Sequence, residues 1–257
     1  MRFLKKFVTI ILVGGLGTKL GDEASKTPKC LLDIGGIPLI QRVLNYSNIS
    51  KFSQKIIISA GHLGEQVQEF FHNSSVYSQC PIEIDLEYQP LGTGGALARL
   101  FQRYGLSSAM VMNGDLLLKA KSNIFDEFYS AVSEASYDSK LSGLFAVASV
   151  PDTHWKYEVE RDAMDYIVSF RKNYDSNHEG IVNIGLYWLR RDIPLSYQHT
   201  GVDGICSLER HILPAAISDG KNIRAHLFFP NIFMDMTTMD DFSYVNDHIK
   251  DITKKLK

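Results

Sequence analysis

Residues 7–29 read FVTIILVGGLGTKLGDEASKTPK. The run from Phe7 to Val13 is apolar and rich in β-branched side chains, which predicts a buried strand. It stops at Gly14, Gly15, Leu16, Gly17, Thr18 and Lys19. Glycines at a strand end let backbone N–H groups turn toward a ligand and approach it closely, and an anion suits such a loop. Lys19 and Lys29 would add two positive charges. The stretch therefore predicts a phosphate-binding loop at the carboxyl edge of a parallel sheet. The plain alternative is a tight strand-to-helix turn. Two familiar phosphate loops are excluded. No glycine directly precedes Lys19, as the Walker A pattern requires, and Leu20 stands where the dinucleotide fingerprint has its third glycine.

Strand and helix signals alternate beyond that loop. Pro38 suits a first helical turn, and Leu39, Ile40, Val43 and Leu44 recur at helical spacing, so 38–47 should be a helix. KIIISA (55–60) reads as a second buried strand, and 62–72 as a helix with Leu63, Val67, Phe70 and Phe71 on one face. IEIDLEY (82–88) alternates apolar and acidic residues, as a half-buried strand does. A helix capped by Thr93 is expected over 93–104, a strand over 108–113, and a helix capped by Ser122 over 122–134. This alternation predicts an α/β, Rossmann-like fold, a mostly parallel central sheet with helices on both faces. After residue 140 the pattern changes. Strand-like runs lie at 141–150, 166–170, 182–189 and 224–229, with helices near 206–217 and 238–253. The second half should add mixed or antiparallel strands. With no repeat or Pro/Ser-rich linker, residues 1–257 read as one domain with two halves, 1–140 and 141–257.

Composition narrows the function classes. A formal net charge of −2 gives no support for a general nucleic-acid or membrane-surface binder. Cys30, Cys80 and Cys206 lie far apart with no C-x-x-C pair, which argues against a zinc knuckle or disulfide framework and for a reducing compartment. No apolar run reaches the roughly 18–20 residues of a membrane span. Arg2, Lys5 and Lys6 precede an apolar run and imitate a secretory leader, but a Gly-rich loop follows in place of a small-x-small cleavage site. The expected location is the cytoplasm. The histidines show no His-x-x-x-His spacing, so no histidine metal site is expected.

The loop becomes specific through its continuation. Gly14 to Leu20, then Thr27-Pro28-Lys29, then Asp33 to Ile40 (DIGGIPLI) resembles the opening signature of sugar-1-phosphate nucleotidyltransferases. The resemblance recurs in Gln89 to Ala96 (QPLGTGGA), Asn113-Gly114-Asp115, Asn183 to Tyr187 (NIGLY) and Phe233 to Thr238 (FMDMTT), in the family's order. EYQPLGTGGAL (87–97) and SLERHIL (207–213) are similar to the heptose 1-phosphate guanylyltransferase branch. The resemblance implies a transfer from a nucleoside triphosphate, GTP favoured, to a sugar 1-phosphate. The products would be pyrophosphate and a nucleotide sugar for cell-surface glycan synthesis.

It also implies roles. Lys19 and Lys29 would be catalytic, neutralising the triphosphate and the charge developing at the α-phosphorus. Leu12, Gly14, Gly15, Gly17, Thr18, Gln89, Thr93 and Gly94 would bind the nucleotide, Gln89 reading the base and Gly94 letting the backbone approach it. Gly114, Tyr157 and Asn183 would bind the sugar. Asp115 and Asp235 would hold Mg2+, which needs few carboxylates and takes other ligands from water and phosphate. Halves 1–140 and 141–257 would bind the nucleotide and the sugar phosphate. Several positions depart from the family. Lys19 replaces an arginine and loses its bidentate fork. Cys30 replaces a proline, Glu158 a glycine, and Phe170-Arg171-Lys172-Asn173 lacks the glutamate found there. Most departures fall on the acceptor half, which motivates a rival reading as a non-catalytic nucleotide-sugar binder. Oligomeric state is not legible, because amphipathic helices serve cores and interfaces alike.

Overall fold

The apolar run at the start of the chain becomes β1 (Phe7–Leu12), and it is buried because both of its edges are paired. The computed structural model describes residues 6–21, 25–74, 80–119, 124–154, 156–174, 178–229, 232–236 and 238–254. Of these, residues 19, 118, 119, 232–235 and 250–254 are described as backbone only. A small hairpin, β2 (Asp33–Ile34) and β3 (Ile37–Pro38), follows the first loop. β4 (Ser53–Ala60) lies parallel to β1 on one side, with β5 (Ile82–Leu86) parallel beyond it. β6 (Ser108–Asn113) lies parallel on the other side. These four strands form the parallel centre predicted from the alternation.

The later strands are mostly antiparallel. β7 (Leu116–Lys119) leaves the main sheet. β8 (Gly143–Val150), β9 (Tyr157–Arg161), β10 (Ile167–Lys172), β11 (Gly180–Arg190) and β12 (Ile223–Phe228) complete a nine-stranded sheet. β13 (Ile232–Asp235) pairs with β7 in a separate two-stranded ladder. The long β11 joins the halves. Its Leu186–Arg190 part pairs with β6, Val182 pairs with β9, and β8 runs along the opposite edge.

Seven helices are described: α1 (Leu39–Ser47), α2 (Gly64–Asn73), α3 (Gly92–Arg103), α4 (Ile124–Ala135), α5 (Asp192–Tyr197), α6 (Leu213–Ser218) and α7 (Met239–Lys254). Alternation along the strands builds two cores. Ile11, Ile56, Ile58, Met112 and Trp188 face α1, α2, α4 and α7. Ile10, Ile57, Val111, Tyr187 and Phe145 face α3, α5 and α6. Ile10 and Ile11 are both fully buried on opposite faces, each contributing about 1.5–3 kcal/mol.

Two local expectations are corrected. Thr93 does not cap α3. The helix begins after Leu91, and its free N–H groups at Gly94 and Gly95 donate to the Cys206 carbonyl at 2.8 and 3.0 Å. IEIDLEY is the half-buried strand its alternation predicts, with Ile82, Ile84 and Leu86 packed against one core and Glu83 on the other face 40% exposed. Asp85 is buried and paired with Arg99 and Arg103 of α3, while Ile82 and Ile84 are half-buried. The helix expected over 206–217 is a π turn, Leu208–Ile212, running into α6. Ser122, the expected cap of α4, lies outside the described residues.

Candidate active site

At the carboxyl ends of β1, β4 and β6 the chain opens a cavity of about 690 Å³. Its walls are the β1 loop from Leu12 to Thr18, the β4 end at Ser59, Gly61 and His62, the 87–96 segment, the β6 end at Asn113–Asp115, and Lys29 with Cys30. Close backbone approach shapes it. A Cβ on Gly114 would lie 2.3 Å from Val13 Cγ1, and one on Gly61 2.9 Å from the Gly14 carbonyl. Gly17 is left-handed (φ 61°) and leads into a short turn at Thr18–Leu20. Among the described residues, nothing accepts from the N–H groups of Gly15, Leu16 and Gly17. Such unpaired donors facing a cavity suit an anion.

Lys29 and Asp115 meet in this cavity. Pro28 starts a short turn that lifts Lys29 toward β6, and Lys29 Nζ donates to Asp115 Oδ2 at 2.5 Å. The two side chains are 17% and 26% exposed, so the pair is shielded yet reachable. β13 then brings a second acidic position alongside. Asp235 pairs with Leu116 across the β7–β13 ladder, and the Met236 N–H donates to the Asp115 carbonyl at 3.3 Å. The side chains of Lys19 and Asp235 lie outside the described residues. Two aspartates at adjoining backbone positions are a residue set that suits Mg2+, which needs few carboxylates and draws its remaining ligands from water and phosphate. Among the described residues no group of three or more His, Cys, Asp or Glu side chains gathers. Cys30 lines the same wall, but burial pushes its thiol up to about 12, so it stays protonated and unreactive.

Leu12, Gly14, Gly15, Gly17, Thr18, Lys29, Thr93, Gly114 and Asp115 all line the cavity, as assembled from the sequence. Gln89, Gly94, Tyr157 and Asn183 do not. Gln89 points to solvent beside Tyr88, which is 85% exposed. Gly94 is used for packing. A Cβ there would lie 2.6 Å from Ile212 Cδ1 and 3.0 Å from the Cys206 carbonyl. Tyr157 stacks on Phe170 and accepts from Arg210 Nε at 3.3 Å. Asn183 lies on β11 just before its irregularity, where Gly185 (φ 75°) lies against Asn113 of the cavity wall. The departure at Glu158 also has a structural reason. Its Oε1 pairs with His178 Nε2 at 2.5 Å, beside Asn173 and Thr153, tying β9 to Asn173 and His178.

Sequence reasoning missed Glu87, Ser59, Gly61 and His62. Glu87 lines the cavity while its Oε1 accepts from the Leu91 N–H at 2.7 Å. Burial raises its pKa above the usual carboxylate value, against the pull of the Leu91 N–H and Arg99. Two signals could have found these residues. Glu87 shares the inward phase of Asp85, and strand ends of a parallel sheet are where ligands bind.

The Nucleotidyl transferase family model matches residues 8–252. The chain is 30% identical over 180 residues to D-glycero-alpha-D-manno-heptose 1-phosphate guanylyltransferase of Aneurinibacillus thermoaerophilus, covering 69% of this chain and 72% of that protein. It is 28% identical over 184 residues to the Campylobacter jejuni protein of the same name, covering 72% and 76%. The crystal structure of HddC from Yersinia pseudotuberculosis complexed with GMP-PN shares the fold, with a TM-score of 0.74 at 24% identity over 95% of this chain and 99% of that one. The chain belongs to the nucleotidyl transferase family, whose sugar-1-phosphate nucleotidyltransferases its motifs resemble.

Proposed function

We propose that the protein transfers a guanylyl group from GTP to a sugar 1-phosphate of the heptose 1-phosphate type. A phosphate oxygen of the sugar 1-phosphate forms a bond to the α-phosphorus, the α–β bridging bond breaks, and pyrophosphate leaves with the electron pair. The product is a nucleotide sugar suited to cell-surface glycan synthesis. The observation that carries the reading is the Lys29–Asp115 pair inside a glycine-walled cavity. The loop N–H groups would hold phosphate oxygens, and Lys29 would stabilise charge developing on the α-phosphoryl group. Asp115 and Asp235 would hold Mg2+, which neutralises triphosphate charge when bound. Catalysis of this kind is positioning plus electrostatics, so a fixed lysine is the chain's main chemical contribution.

Glu87 supports the choice of GTP. A carboxylate only accepts hydrogen bonds. Guanine offers two adjacent donors, N1–H and the N2 amino group, whereas uracil and thymine set one N–H between two carbonyls that a carboxylate would repel. The names of the two guanylyltransferase relatives and the GMP-PN complex point the same way.

The test is pyrophosphate release with Mg2+ across GTP, UTP, CTP, ATP and dTTP, each with heptose, mannose and glucose 1-phosphates. GTP should exceed the other triphosphates at least about tenfold, and a UTP or dTTP preference overturns the base assignment. Lys29→Ala should lower kcat roughly 10²–10³-fold. Asp115→Ala should abolish turnover with little change in thermal unfolding, and retained activity removes Asp115 from the metal site.

A further inference from the structure

Three hydroxyl groups converge on one buried carboxylate outside the cavity wall. Glu209, 8% exposed, accepts from Thr93 Oγ1 at 3.0 Å and Ser207 Oγ at 3.2 Å through Oε2. Its Oε1 accepts from the Tyr187 hydroxyl at 3.2 Å. Each hydroxyl oxygen is already taken by a nitrogen donor. Thr93 Oγ1 accepts from the Leu208 N–H at 2.8 Å, Ser207 Oγ from the Arg210 N–H at 3.2 Å, and the Tyr187 oxygen from Asn183 Nδ2 at 2.6 Å. Each hydroxyl proton is thereby directed at Glu209. Asn183 cannot flip, because its Oδ1 accepts from the Gly185 N–H at 3.3 Å. The carboxylate thus orients Thr93 on the cavity wall and, through Tyr187, the amide of Asn183 on β11.

We propose that Glu209 is a positioning residue that sets the nucleotide wall and the acceptor strand together, so that the two substrates bind with linked affinities. The inference rests on the nucleotidyl-transfer reading above. Glutamine is the informative replacement. Its amide end would oppose either the Tyr187 proton or the Thr93 and Ser207 protons, breaking one arm at constant size. Tyr187→Phe removes only the β11 arm.

Wild type is first assayed for pyrophosphate release. Calorimetry then measures binding of a GTP analogue with a methylene bridge between its α- and β-phosphates, with and without saturating sugar 1-phosphate. The wild-type analogue should bind at least about fivefold tighter when the sugar 1-phosphate is present. In Glu209→Gln that ratio should fall toward one, and the KM for sugar 1-phosphate should rise roughly tenfold with kcat within about threefold. Tyr187→Phe should raise the same KM while leaving analogue binding without sugar unchanged. Thermal unfolding of both variants identifies any general loss of structure. A wild-type ratio of one, or variants that keep the wild-type KM and ratio, overturns the linkage alone. A fall in kcat with KM and ratio unchanged does the same. A wild type that releases no pyrophosphate with any pair overturns the transfer reading, and this inference with it.

Discussion

Glu87 carries two consequences of burial. Its carboxyl titrates above the ordinary glutamate value, chiefly because burial disfavours the charged form. A carboxyl raised in the fold binds its proton more tightly there than in the unfolded chain, so stability falls as pH rises through the window between the two values. Glu87→Gln should therefore gain stability at pH 8 relative to wild type and lose that gain as the unfolded value, about 4.3, is approached. Urea unfolding at both ends of the range measures this, and an equal difference at each pH contradicts it. The same variant should weaken GTP preference, because the carboxamide presents a donor as well as an acceptor. In wild type, the KM for GTP should begin to rise on acidification at a higher pH than an ordinary glutamate would produce. Lys29 is the simpler case. Its role rests on position, since the Pro28 turn sets it 2.5 Å from Asp115.

At the scale of elements, GTGG (92–95) and SLER (207–210) prove to be one piece of structure. The Cys206 carbonyl accepts from Gly94 and Gly95, its N–H donates to the Leu91 carbonyl, and the Leu208 N–H donates to Thr93. Backbone from the second half thus caps the helix that lines the cavity. The glycines are required by this contact. Gly92 has φ 73°, and a Cβ there would lie 2.6 Å from the Cys206 carbonyl oxygen, a backbone atom that cannot move alone. Gly92→Ala should therefore destabilise the protein by about 2–4 kcal/mol, from left-handed strain plus overpacking. Denaturant unfolding checks the loss, and a change under about 0.5 kcal/mol would show that the cap is loose. The β7–β13 ladder works similarly. It was invisible as a pair of strands in the sequence, yet it sets Asp235 beside Asp115.

Across the whole molecule, β11 is threaded between strands of both halves, pairing with β6 on one edge and β8 on the other. One sheet with a core on each face should unfold as one unit. Calorimetry should give a single transition whose calorimetric and van't Hoff enthalpies agree, and two resolved transitions would mark the halves as independent. The parallel centre was legible in the sequence because its determinants are local. Apolar runs of strand length, helical spacing in 39–44 and a glycine-rich strand end each act over a few residues, and FVTIILVGG contains the strand and its turn together. The glycine-rich cavity wall was legible for the same reason, from Gly14 to Thr18 with Lys29, and Asp115 was added by resemblance. What only the tertiary structure decided depends on groups far apart in the chain. Gly94 is a packing glycine because Ile212 and Cys206 lie against it. Glu87 is held at the cavity because the chain turns after β5 and brings the Leu91 N–H onto its carboxylate, while Gln89, beyond the end of β5, is exposed. Glu209 gains its three hydroxyl partners because α3, β11 and the 207–212 turn meet. Short-range sterics and periodicity wrote the strands and the glycine-rich loop into the sequence, whereas burial and hydrogen-bond satisfaction, which exist only after folding, chose which side chains face the cavity.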